Sequence, residues 1–294
     1  MLKYTKIAII GSFFCLWLSS YLTDFFQIIT GFTMIFSFGI LHGANDLLLI
    51  QNININSKKI PFVKILNYYI VVVLLGSICF YIIPWFALLL FIVVSSYHFG
   101  EQQIQNLYFN SFKWLKGFFK FNYGIFILLL LFNFHKIEVQ KIIFEITSFS
   151  IFTEYISPIM KFFGLTLLLF YLYLYVYVEK NRILVLLEIF YLAVFAIIFM
   201  SSSLIWGFAI YFILWHSIPS MIDQINFLYG KISIKTSINY FKSAFVYWII
   251  SLLGIILLYF TFKEIKLFDA LFFSFLAAIT FPHALVILKM FDKR

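Results

Sequence analysis

The chain has 294 residues, of which 64% are hydrophobic and 11% charged, and its mean hydropathy is +1.04. A water-soluble domain could not cover that much apolar side chain, so the composition excludes one and indicates an integral membrane protein. The formal net charge of +9 comes without a basic stripe or nucleic-acid motif; topogenic lysines, with some attraction to anionic headgroups, account for it.

The apolar segments are helix-length and lack the alternating period of a membrane barrel, which leaves an all-α polytopic bundle. About ten spans are predicted, with eight as the lower bound, near residues 6–23, 26–50, 65–83, 85–100, 121–134, 162–178, 183–200, 204–228, 244–261 and 268–290. Several are short for a hydrocarbon core that needs about 20 residues, the fifth most of all. The first follows Lys3 and Lys6 as a secretory signal would, but no small-residue cleavage site comes after it, so it counts as a helix. The polar stretch Gln51 to Lys59 reads as one cytoplasmic loop. Cys15 and Cys79 lie in apolar spans without metal or redox spacing and read as packing residues. No repeat or linker interrupts the pattern, so residues 1–294 are expected to form a single membrane domain.

Orientation follows from lysine and arginine. With a cytoplasmic amino terminus, one side collects Lys3, Lys6, Lys58, Lys59, Lys64, Lys113, Lys116, Lys120, Lys180, Arg182, Lys231, Lys235, Lys242, Lys289, Lys293 and Arg294, sixteen of the 21 basic residues. Lys136, Lys141, Lys161, Lys263 and Lys266 fall on the other side. The positive-inside rule therefore places both termini in the cytoplasm of a multi-pass inner-membrane protein. Few arginines beside abundant Phe, Ile, Lys and Asn suggest an AT-rich bacterial genome.

In that topology the second, fourth, eighth and tenth spans run from outside to inside. They carry His42, His98, His216 and His283 inside or at their ends, all in the inner half of the membrane at about 1.5 Å per residue. His135 falls outside the pattern. A lone histidine in a membrane helix is commonly an interhelical hydrogen-bonder, whereas four at one depth suggest a metal site, since neutral imidazole suits iron, copper or zinc. Asp46, one turn after His42, is placed either to take the other ring N–H of that histidine or to sit solvated near the membrane surface. Glu101, three residues after His98, reads equally as a charge at the water boundary or a partner of the histidine. Asp223 lies seven residues after His216 near the same face, and Pro219 should kink that span. Glu188 is an intramembrane acid whose partner the sequence does not name. Most of the aromatics, including Trp85, Trp114 and Trp206, read as lipid-facing or interfacial residues. Trp215, next to His216, can instead line a pocket for a conjugated apolar ligand.

The strings Leu41-His42-Gly43-Ala44-Asn45-Asp46, Tyr97-His98-Phe99-Gly100, Trp215-His216-Ser217 and Phe281-Pro282-His283 resemble, in this order and on comparable helices, the Brp/Blh family of membrane-bound bacterial β-carotene dioxygenases. The likeness runs from the second span to the last. It implies cleavage of β-carotene at its central double bond, using O₂ and a non-haem Fe(II), to two molecules of retinal. By motif the catalytic and metal-binding residues would be His42, His98 and His216, with His283 as a candidate fourth ligand or a residue behind the ligands. Asp46 would orient His42, and Trp215 would stabilise charge on the polyene. Carotenoid, O₂ and the lipid bilayer are the partners implied, and a retinal-binding rhodopsin is the functional link that fits the product. The chain also departs from the pattern: where family members carry a second histidine one turn after the equivalent of His216, it has Ser220, and where they carry an acid after the His-Phe-Gly motif, it has Gln103. Two other functions remain open. A non-catalytic carotenoid- or retinal-binding membrane protein would explain Ser220 and would bind pigment without metal. A transporter with an intramembrane His/Asp relay lacks the expected repeats and paired broken helices.

Overall fold

The computed structural model describes residues 2–53, 61–109, 113–150, 153–261 and 265–293, and among the described residues every regular element is helical. In lipid a backbone must satisfy its own hydrogen bonds, and these apolar segments do so as helices. Among the described residues eight helical stretches are long and apolar enough to cross a membrane, the lower bound expected, and two shorter apolar helices, Tyr4–Ser19 and Asp24–Gly39, lie in the first two predicted spans. The chain is an all-α polytopic membrane bundle.

In chain order the helices are α1 (Leu2–Ser19), α2 (Asp24–Met34), α3 (Asp46–Ile53), α4 (Phe62–Ile82), α5 (Pro84–Gln103), α6 (Lys113–Phe134), α7 (Lys136–Thr147), α8 (Ile156–Tyr177), α9 (Arg182–Met200), α10 (Leu204–Tyr211), α11 (Ile218–Tyr229), α12 (Ile234–Thr261) and α13 (Ile265–Asp292). The fifth span, short in the sequence pattern, is the 22-residue α6. α7 is an additional helix that turns Val139, Ile143 and Thr147 inward at a spacing of one turn. Lys58, Lys59, Lys263 and Arg294, used in the charge count, lie outside the described residues, as does the loop expected up to Lys59 from residue 54 onward; Gln51–Ile53 still belong to α3.

Two spans are broken where the sequence suggested continuous helices. The segment 26–50 runs through α2, widens into a π-helical turn at Ile35–Gly39, leaves helical geometry at residues 42–45 and restarts as α3. The Trp248 indole N–H, donated to the carbonyls of Phe36 at 3.0 Å and Ser37 at 3.1 Å, supports that widened turn. The eighth span passes from α10 through a second π-helical turn, Phe212–Ser217, into α11. Pro219 follows just after that turn, and its missing N–H takes one backbone donor out of a helix that is continuous from Leu204 to Tyr229. Gly230, at φ 77°, ends α11 in the left-handed conformation that suits glycine.

The chain divides into two compact units interleaved in sequence. The first comprises Met1–Met34, Ser95–Gln140 and Ile151–His216. In it α6 packs on α8 and α9, and α10 on α2 and α9. Its core is aromatic, with Phe119, Tyr123, Tyr171, Phe195, Phe199 and Trp206 fully buried. The carboxy-terminal half of α5 crosses α6 at closest approach: a Cβ on Gly100 would run into the Lys120 carbonyl, and one on Gly124 into the Ser96 carbonyl. Small residues at such reciprocal points are what let two membrane helices touch backbone to backbone.

The second unit comprises Ile35–Val94, Lys141–Ser150 and Ser217–Arg294. Here α4 lies on α13, with Gly76 facing Phe281 and Ala278 at 3.0 and 3.4 Å from its would-be Cβ. Leu49, Ile53, Val286, Ile287 and Met290 form one buried cluster, and Phe80, Ala87 and Ala277 another. The outer face of α4 exposes Ile70, Val71, Leu74, Leu75 and Ile78, as a helix solvated by lipid does.

Candidate metal centre

Each unit contributes a pair of buried imidazoles. In the first, the rings of His98 on α5 and His216 in the Phe212–Ser217 turn lie 4.5 Å apart between centroids and nearly perpendicular. His98 is carried by the α5 segment that Gly100 and Gly124 clamp to α6. His216 is packed between Phe212, which stacks on it at 5.5 Å, and Phe99, which meets it edge-on at 4.8 Å.

Around this pair the acids find partners unforeseen in the sequence. Glu101 is buried rather than solvated, and its carboxylate accepts from the Lys120 ammonium at 2.5 Å, tying α5 to α6 a second time. The same ammonium lies 5.3 Å from the centre of the Tyr97 ring. Gln103 donates its amide to both oxygens of Glu188, at 3.3 and 3.2 Å. Trp215 donates its indole N–H to the Ser12 hydroxyl at 2.9 Å and packs edge-on against Phe195. His135 donates Nε2–H to the Phe199 carbonyl at 2.9 Å; burial holds it below its ordinary pKa, against the opposing pull of Glu138 and that carbonyl.

In the second unit His42 and His283 lie 4.6 Å apart between centroids, their planes perpendicular. The backbone carbonyl of Gly39 takes the Nδ1–H of His42. His283 Nδ1 donates to Asp46 Oδ1 at 2.8 Å, and the Tyr69 hydroxyl donates to Asp46 Oδ2 at 2.9 Å. Both acceptors are oxygens that only accept, so in each neutral imidazole the proton sits on Nδ1 and the lone pair on Nε2. Asp46 thus serves His283, not His42 as its spacing suggested, because the chain leaves the helix between residues 42 and 45 and the two side chains do not share one helical face.

The turn that carries His42 is braced from behind. Asn45 donates to the Tyr240 carbonyl at 2.9 Å and accepts from the Ser243 hydroxyl at 2.8 Å. Gln224 donates to the His42 carbonyl at 2.9 Å and to the Ser220 hydroxyl at 3.1 Å, while the Tyr240 hydroxyl donates to its Oε1 at 2.8 Å. Ser220 is therefore part of the brace. Asp223 is half-buried on α11. Tyr69, Gln224, Tyr240 and Lys120 were missed in the sequence, where a tyrosine or a lysine in an aromatic, lysine-rich chain carries no distinguishing signal.

Residues 33–291 match the family model of beta-carotene 15,15'-dioxygenase. The chain belongs to this family. No curated protein and no solved structure matches the chain. The match takes in all four histidine motifs and leaves out α1 and most of α2, and it makes the chain a dioxygenase-like membrane protein of a family described by carotenoid cleavage. Its donor set fits a metal ion: the histidine pairs are buried, and His42 and His283 present neutral nitrogens whose opposite N–H is held by an oxygen.

Proposed function

We propose that the chain cleaves β-carotene at its central double bond with O₂, giving two molecules of retinal, and that His42, His98, His216 and His283 are the residues that hold a ferrous ion for the reaction. The observation that carries this reading is the pair of buried, tautomer-fixed imidazoles at His42 and His283, in a chain that belongs to the dioxygenase family and has a second imidazole pair at His98 and His216. An iron held by these residues would supply the activation of O₂ toward the polyene. One carbon–carbon double bond breaks, two aldehyde carbonyls form, and both oxygen atoms come from O₂, so no further reductant is needed.

The remaining work belongs to the protein. Gly39 and Asp46 keep the Nδ1 protons in place, so the ligand nitrogens need no deprotonation on binding. Phe99 and Phe212 hold the plane of His216. Trp215, fixed by Ser12 and Phe195, offers an aromatic face suited to charge on the polyene. The hydrocarbon substrate would enter directly from lipid in a bacterial inner membrane, and retinal would pass to a retinal-binding rhodopsin. The serine at position 220 favours one competing reading, a carotenoid- or retinal-binding protein without catalysis.

Expression in bacterial cells that accumulate β-carotene tests the proposal. The wild type should bleach the cells and yield retinal in extracts, and His98→Ala, present in membranes at the same level, should lower retinal by at least about 100-fold. Orange cells and no retinal from the wild type would contradict it, and pigment bound to a metal-free protein would establish the competing reading.

A further inference from the structure

The geometry points to a hydrogen-bonded relay, Tyr69–Asp46–His283, as the device that makes His283 a metal ligand in this chain. The inference rests on the metal-binding reading above and deepens it. Asp46 is the first residue of α3 and is 1% exposed, a carboxylate held away from water. Such a group persists only where donors and positive charge answer it. Its two oxygens are answered separately: Tyr69 takes Oδ2 and His283 takes Oδ1. The Tyr69 bond fixes the carboxylate rotamer, so the remaining oxygen points at one place, the Nδ1 of His283. A neutral His283 must then turn its Nε2 lone pair away from Asp46, and a cation bound there answers the carboxylate charge through the ring. A carboxylate behind a histidine raises the basicity of the ring and fixes its orientation toward a metal.

The surrounding packing holds the three residues in register. α4, which carries Tyr69, meets α13, which carries His283, at the glycine contact of Gly76 with Phe281 and Ala278. α3, which begins at Asp46, packs on both. The relay therefore joins three helices of the second unit at one carboxylate. It also assigns the chain's fourth imidazole where the position one turn after His216 offers none, since Ser220 is engaged with Gln224. Tyr69 and Asp46 are positioning residues, and they act on the metal through His283.

The test is cobalt(II) binding to the purified full-length protein in detergent, titrated for stoichiometry and dissociation constant and read by its visible ligand-field spectrum. The wild type should bind one ion. Asp46→Asn should weaken binding about 10–100-fold and alter the spectrum, His283→Gln should weaken it at least as far, and Tyr69→Phe should weaken it by several-fold. Tyr69→Phe keeps its ring and packing, so it decides the matter should Asp46→Asn fail to reach the membrane. Wild-type binding with Asp46→Asn and Tyr69→Phe indistinguishable from it, in affinity and spectrum, would overturn the relay and leave the metal reading standing. A wild type that binds no cobalt or iron would overturn both.

Discussion

Ser220 and Gln103, the two positions at which the sequence resemblance implied other residues, are both engaged in hydrogen bonds. Ser220 accepts from Gln224, the side chain that also supports the His42 carbonyl. A histidine forced into that fully buried position would displace Gln224, and overpacking of this kind costs about 1–3 kcal/mol. Ser220→His is therefore expected to lower both retinal yield and thermal stability in detergent. A gain in retinal would show that the site had lost a ligand it can still use. Gln103→Asp would set a second carboxylate against Glu188, where the amide now donates twice. The single substitution should destabilise the protein and Gln103→Asp with Glu188→Gln should recover most of the loss, a coupling of about 1–3 kcal/mol in a double-mutant cycle. At this scale the histidines were legible because an ionisable group in lipid stands out. The partner of Asp46 was not, since His283 lies 237 positions away and local spacing pointed to His42.

Helices are where the reading by periodicity succeeded most and where its limit is clearest. Apolar runs of span length located the membrane helices to within a few residues at most ends, because hydrocarbon thickness and self-satisfied backbone leave little choice. The π-helical turns at Ile35–Gly39 and Phe212–Ser217 were invisible, since predominantly apolar spans offer little phase against which the extra residue of a π turn would show. One turn lies just before His42 and the other contains His216, so the irregularities sit beside two of the four buried histidines. The close crossing of α5 and α6 yields a prediction at the same scale. Gly100→Val cannot be relieved by a rotamer, because the obstacle is the Lys120 carbonyl. It should displace the His98 segment, cut retinal formation more than tenfold and lower the melting temperature. Gly254→Ala, at a position with open space around it, should change neither. Equal behaviour of the two variants would contradict the clamp.

Over the whole molecule, composition alone excluded a soluble protein, and the family match covers all but α1, most of α2 and the last three residues. The division into two units drawn from alternating stretches of chain was not legible, because long-range contacts leave no trace in a single sequence without repeats. Lysine distribution predicts that a reporter fused at the carboxy terminus will be active in the cytoplasm and silent when it requires export. The most direct measurement is the stoichiometry of the purified reaction. Metal-stripped protein in detergent should leave β-carotene intact, and anaerobic reloading with Fe(II) followed by O₂ should give two retinal molecules for each β-carotene and each O₂ consumed. Retinal formed equally by stripped protein, or β-carotene bound but unchanged by the reloaded one, would contradict an iron-dependent carotenoid dioxygenase.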